Sequence, residues 1–136
     1  ATAIKNVDAR ERRILARMAE TMYSASGIGL AAPQVGITEQ LVVLDVGEGL
    51  VKLINPEVID SVGQSSLEEG CLSLPGIVVD VERAGTVLVR AVDHNGSPIE
   101  LEAEGLFAHV LQHEIDHLCG VLITDHGNGQ ELRLLS

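Results

Sequence analysis

Apolar residues recur along this chain at two different periods, and the switches between them mark out its elements. From Asp8 to about Tyr23 a stripe of Ile14, Leu15, Met18 and Met22 follows helical spacing. Asp8 with Glu11 three residues later fits a capping box, so the segment predicts an amphipathic helix with its stripe on a core. Leu41–Val46, Val51–Ile54, Ile77–Val81 and Thr86–Val92 are short runs rich in β-branched residues and predict strands. Asn95-Gly96 predicts a hairpin turn into a further strand over Ile99–Ala103. A second helical pattern runs from about Glu104 to Cys119, with Gly120 as its terminator. Helix, several antiparallel strands, helix is the order of an α+β domain rather than of alternating βαβ units.

The 136 residues hold no internal repeat, low-complexity tract or linker, so residues 1–136 are expected to form a single domain. A chain of this length buries about two-thirds of its unfolded surface. Its hydrophobic content is 46%, yet Tyr23 and Phe107 are its only aromatic residues, so Val, Leu and Ile must build the core. Twenty acidic residues against nine basic ones give a net charge of −11, which argues against nucleic-acid binding. No apolar run reaches the roughly 18 residues of a membrane span, and no signal peptide is visible. Cys71 and Cys119 are expected as reduced thiols, and the chain as cytoplasmic. The first residue is Ala rather than Met, which leaves the natural start undecided.

The chemistry concentrates in His113-Glu114-Ile115-Asp116-His117. On a helix, positions four apart lie roughly 40° apart, so both imidazoles can reach one ion. Glu114 sits roughly 60° round from His117, placed to serve as a general base rather than a ligand. A hydrolytic site of this kind usually takes a third protein ligand and an open position. Cys119 lies about 200° round the helix from His117, and His109 stands roughly 12 Å along the axis from it, so neither shares that ion. His94 in a turn and His126 in the Gly-rich tail are expected as solvated side chains. Cys71, in Glu68-Glu69-Gly70-Cys71-Leu72-Ser73, reads either as a small buried apolar residue or as the missing ligand.

Gly27-Ile28-Gly29-Leu30-Ala31-Ala32 formally matches a dinucleotide-binding fingerprint, but a helix precedes it and Pro33 follows, which removes the strand-to-helix setting that motif needs. The better reading is an extended segment whose glycines admit another backbone or a substrate.

Taken together, Gly27-Ile28-Gly29-Leu30-Ala31-Ala32-Pro33-Gln34, Glu69-Gly70-Cys71-Leu72-Ser73 and His113-Glu114-Ile115-Asp116-His117 resemble the three ordered signatures of the peptide deformylases. Asn55-Pro56 and Arg83 between them strengthen the likeness. The resemblance implies antiparallel β-sheets packed around a central helix that carries HExxH, with one N-terminal helix. It implies hydrolysis of the N-formyl group from the formyl-methionine of nascent polypeptides, with release of formate. Metal ligation falls to Cys71, His113 and His117, acid–base work to Glu114, and oxyanion donation to Gln34 and the Leu72 backbone N–H. The ion is expected to be Fe(II) in the cell, with Zn, Ni or Co as substitutes. Gly27, Ile28, Gly29, Leu67, Gly70, Leu106, His109 and Val110 are expected around the substrate. For His109 the alternative is a neutral core histidine with one hydrogen bond. Glu69 and Asp116 are expected either to accept from imidazole N–H groups or to pair with Arg83. Two rival functions are an HExxH endopeptidase and a non-catalytic homologue stapled by its metal. The sequence departs from many members where Val78 aligns with a substrate-contacting arginine. The compact, short-tailed outline resembles phage-encoded forms. Its sixteen residues after Gly120 and its acidity disfavour ribosome docking, leaving formyl-methionyl peptides as the expected partners and a transient ribosome association as the lesser expectation.

Overall fold

The computed structural model describes residues 1–71, 74–120 and 132–134, with Cys71, Leu74, Pro75, Ile77 and 132–134 described by backbone alone. Helix α1 spans Ala9–Ser24 and begins on the expected capping box: the Asp8 side chain accepts from the Arg10 N–H, and Glu11 accepts from the Asp8 N–H at 3.0 Å. The chain then runs through β1 (Gly29–Ala31), a 3₁₀ turn over Ala32–Val35, β2 (Leu41–Leu44) and β3 (Val51–Val62). Strands β4 (Ser65–Cys71), β5 (Leu74–Arg83), β6 (Thr86–Val92) and β7 (Pro98–Glu104) lead into α2 (Gly105–Leu118), and β8 covers Leu132–Leu134. These strands pair antiparallel, in one sheet ordered β1-β2-β3-β6-β7 and a second ordered β4-β5-β8.

The pleat of β2 explains how the five-stranded sheet can be buried on both faces. Leu41 and Val43 turn to one side, where they join Leu15, Met18 and Met22 of α1 with Leu30, Ala32 and Ile54. Val42 and Leu44 turn to the other, where Leu53, Val87, Val89 and Ala103 meet Ala108, Val110, Leu111 and Leu118 of α2. The apolar stripe of α1 is therefore a core stripe, as its spacing predicts. The other side of α2 faces the hairpin of β4 and β5, which places the HExxH helix between the two sheets.

Several boundaries differ from those the sequence predicts. Strand β2 stops at Leu44 because Asp45 turns outward, accepting from the Tyr23 hydroxyl at 2.6 Å and from the N–H groups of Gly47 and Gly49. Strand β3 continues well past Ile54: a register shift between Ile54 and Glu57 absorbs Asn55, at φ 53°, and Pro56, so pairing with β6 resumes beyond them. The Asn55 amide meanwhile bonds both backbone groups of Ile4. Strand β4 lacks the branched residues that advertise a strand and is held by its register with β5, from Ser65↔Arg83 to Gly70↔Val78. The hairpin at Asn95-Gly96 forms as expected, with Gly96 at φ +85°. Gly120, at φ +78°, follows α2 and donates to the His117 carbonyl. No helix among the described residues is long and apolar enough to cross a membrane.

Candidate metal centre and active site

Helix α2 delivers three of the predicted residues to one place. His113, Glu114 and His117 are all buried, and one ligating atom from each lies within 4.8 Å of the others. The two Nε2 atoms stand 3.1 Å apart with the rings at 66°. Two nitrogens bound at about 2.05 Å to a tetrahedral ion would be about 3.3 Å apart, so this spacing suits a shared ion. His113 presents Nε2 because its Nδ1 is occupied by Glu69 Oε1 at 2.9 Å. A carboxylate behind a ligand imidazole fixes its tautomer and makes it a better donor to metal.

Glu69 is the hub of a buried ionic network. Arg83 grips both of its oxygens, Nε on Oε2 and Nη2 on Oε1, each at 2.8 Å, and extends Nη1 to Asp116 Oδ2 at 2.7 Å. His109 adds a fourth bond, Nδ1 to Glu69 Oε2 at 2.8 Å. Burial alone would raise the Glu69 pKa, but hydrogen bonds from His113 and Arg83 and the guanidinium charge outweigh it and hold the carboxyl at about 2. Burial likewise opposes the charge on Arg83, and its bonds to Glu69 and Asp116 overcome that, raising its pKa. Glu69 and Asp116 thus take both roles open to them as a pair: imidazole acceptor and arginine partner.

Strand β1 lies against the same helix, and here the glycine of the first signature acquires a physical reason. A Cβ on Gly29 would overlap Glu114 Oε2 and stand 2.9 Å from Val110 Cγ1. Only glycine lets β1 pass this close to the carboxylate of the HExxH motif. One turn on, Gln34 Oε1 accepts from the Ala31 N–H at 2.8 Å, so the donating end of the amide faces away from the backbone it caps.

Ile28 just before β1, Leu67 on β4 and Leu106 in the first turn of α2 are large apolar side chains left 37–47% exposed, while Val110 of α2 is 7% exposed. Gly27 donates to the Met22 carbonyl at 2.9 Å, and Gly70 pairs with Val78 of β5. His109 is only 1% exposed and lies in the core with its one bond to Glu69. Cys119 is exposed, and neither it nor His94 joins a metal-capable cluster among the described residues. Cys71 ends β4 two residues beyond Glu69 and is described by backbone alone; Leu72 and His126 lie outside the described residues. Gln112 escaped the sequence reading altogether. Its amide bonds the N–H and C=O of Ala84, tying α2 to the turn after β5, and nothing in its sequence setting marks it.

Comparison with known proteins identifies the family. A family model for polypeptide deformylases matches residues 1–133. A peptide deformylase from Pelotomaculum thermopropionicum is 51% identical over 113 residues, covering 83% of this chain and 73% of the relative. One from Syntrophomonas wolfei is 50% identical over 125 residues, covering 92% and 82%. Among solved structures, the Synechococcus elongatus peptide deformylase in complex with actinonin superposes with a TM-score of 0.92 at 45% identity, covering 96% of this chain and 74% of that one. The Thermotoga maritima peptide deformylase also gives a TM-score of 0.92 at 45% identity, covering 94% and 88%. With a family match across nearly its whole length and half its residues shared with such relatives, the chain belongs to the peptide deformylase family of metal-dependent hydrolases.

Proposed function

We infer that this chain removes the N-formyl group from the formyl-methionine of nascent polypeptides, with Cys71, His113 and His117 holding one divalent ion and Glu114 moving the proton. The observation that carries the site assignment is the buried trio of His113, Glu114 and His117, with imidazole nitrogens at a spacing suited to a shared ion. Two imidazoles and a thiolate suit ferrous iron in the cell and accept zinc, nickel or cobalt. When bound, the ion supplies Lewis acidity, which polarises the formyl carbonyl and makes water a stronger acid.

The protein's own groups then divide the work. Glu114 accepts a proton from the attacking water at its carboxylate and returns it to the departing amine nitrogen. The Gln34 amide and the Leu72 N–H donate to the formyl oxygen as it gains charge, each donor contributing on the order of 3 kcal/mol. Ile28, Leu67, Leu106 and Val110 line the methionine pocket, whose burial of that side chain contributes roughly 1.5–3 kcal/mol. Gly27, Gly29 and Gly70 let the substrate backbone lie close to β1 and β4. The setting is the cytoplasm of a bacterium or of a phage-infected bacterial host, with one catalytic domain over residues 1–136 and ribosome association at most transient.

Metal analysis of two variants tests the ligand set. Cys71→Ala should lower bound metal sharply, while Cys119→Ala should retain it, both measured beside anaerobic deformylation of formyl-Met-Ala-Ser. Equal metal loss in the two variants would exclude Cys71 as the sulfur ligand.

A further inference from the structure

His109 is a buried group that the chemistry above leaves without a direct task. It lies one helical turn before His113, and its Nε2 has no hydrogen-bond partner among the described residues. Leaving a buried polar atom unsatisfied costs about 1–3 kcal/mol, so an apolar residue would serve stability better at this position. What His109 offers instead is its other nitrogen. Both Glu69 oxygens accept from the Arg83 fork, so the carboxylate is an acceptor towards His109 as well, and the 2.8 Å contact requires a proton on His109 Nδ1.

The arrangement around Glu69 shows what that bond does. Each carboxylate oxygen accepts from one guanidinium nitrogen and one imidazole: Oε1 from Arg83 Nη2 and His113 Nδ1, Oε2 from Arg83 Nε and His109 Nδ1. Arg83 comes from the end of β5, on the same hairpin as Glu69, and reaches α2 through Nη1 on Asp116 rather than through the two nitrogens that grip the carboxylate. His109 and His113 come from α2 itself, four residues and roughly 6 Å of rise apart. Together they straddle the carboxylate and fix its position along the helix axis.

We propose that His109 is a positioning residue for the metal site: by donating to Glu69 Oε2 it holds Oε1 under His113 Nδ1, and so aims His113 Nε2 at the ion. The proposal rests on the assignment of His113 as a ligand. The test compares wild type, His109→Leu, His109→Asn and His113→Ala by anaerobic titration of the metal-free proteins with Zn(II) and Co(II). Partners behind a ligand typically contribute 10–100-fold in metal affinity, so His109→Leu should bind roughly ten-fold more weakly. Its Co(II) d–d bands should shift, while KM for formyl-methionyl peptides at saturating metal stays unchanged. Asparagine places an N–H where imidazole Nδ1 stood, so His109→Asn should return affinity to within about three-fold of wild type. Unaltered affinity and spectrum in His109→Leu would overturn the proposal. So would a folded His109→Asn that fails to rescue, or an effect confined to KM, which would put His109 in contact with substrate. His113→Ala separates the two levels: undiminished metal binding there would sink the ligand assignment itself. Should His109→Leu not fold, ¹H–¹⁵N imidazole spectra of wild type decide, since a proton on His109 Nδ1 supports the proposal and a bare Nδ1 refutes it.

Discussion

Replacing Gly29 by alanine adds one methyl group at the closest approach of β1 to the HExxH helix. Its φ lies outside the left-handed region, so the backbone itself accepts alanine and the whole effect is steric. The new carbon would stand 2.9 Å from Val110 Cγ1 and 3.0 Å from Glu114 Cδ, and closer still to Glu114 Oε2. Carbon atoms prefer separations of about 3.5–4.0 Å, so something must retreat by about half an ångström to an ångström. Val110 is packed in the α2 core and β1 is held by its pairing with β2, which leaves the end of the Glu114 side chain as the part that moves. Over-packing of this kind costs about 1–3 kcal/mol. A misplacement near 1 Å of a reacting group costs on the order of a hundred-fold in rate. Gly29→Ala should therefore bind metal as wild type does, melt a few degrees lower, and lose about two orders of magnitude in kcat for formyl-Met-Ala-Ser. Formate release, metal content and thermal unfolding on one preparation read all three. Gly85→Ala is the control, because a Cβ there meets only ordinary contacts at 3.6 Å or beyond. If Gly29→Ala turned over within three-fold of the control, the carboxylate beside β1 would not be the proton carrier.

Three further outcomes follow from the buried network and its neighbour. Arg83→Ala strands the Glu69 and Asp116 carboxylates without their cation and should destabilise the fold by about 3–5 kcal/mol, lowering Tm by roughly 10–15 °C in a scan of the metal-free protein; a loss under 1 kcal/mol would show the guanidinium to be dispensable. Glu69 has its pKa lowered from 4.5 to about 2, so its stabilisation is complete above about pH 4.5 and is lost as pH falls towards 2. Urea unfolding of metal-free protein should find that term reduced by about 2 kcal/mol between pH 6 and pH 3, and Glu69→Gln should abolish this part of the slope; parallel slopes would contradict it. Glu114→Ala should keep its metal and lose most turnover, and retention of half the wild-type activity at saturating metal would remove Glu114 from the mechanism.

How much of this was legible beforehand depended on whether a feature is local. The stripe of α1, the HExxH spacing of α2, the Asn95-Gly96 turn and the Gly120 stop are written within a few residues and appear where expected. Strand β4 is not, because Ser65–Cys71 owes its conformation to β5 and not to its own propensities. The length of β3 was hidden by Asn55-Pro56, whose disruption a bulge absorbs. The first signature implied a close approach at its glycines, but that Glu114 is what approaches Gly29 required the folded chain. Glu69 shows the same limit. Its four bonds come from β5 and from two turns of α2, and no window of sequence contains all of those partners.

The two sides of α2 restrain it in different ways. Towards the five-stranded sheet it presents Ala108, Leu111 and Leu118, and apolar contact of this kind resists separation while remaining almost indifferent to small rotations. Towards the β4–β5 hairpin it is held by His109, Gln112, His113 and Asp116, through bonds that weaken steeply when their angles change. The sheet side keeps the helix in place; the hairpin side sets its azimuth. Adaptation to heat can therefore proceed by repacking the sheet side with little retuning of the chemistry. Adaptation to a new ion would have to start on the hairpin side, where turning the helix by a few degrees re-aims both imidazoles together.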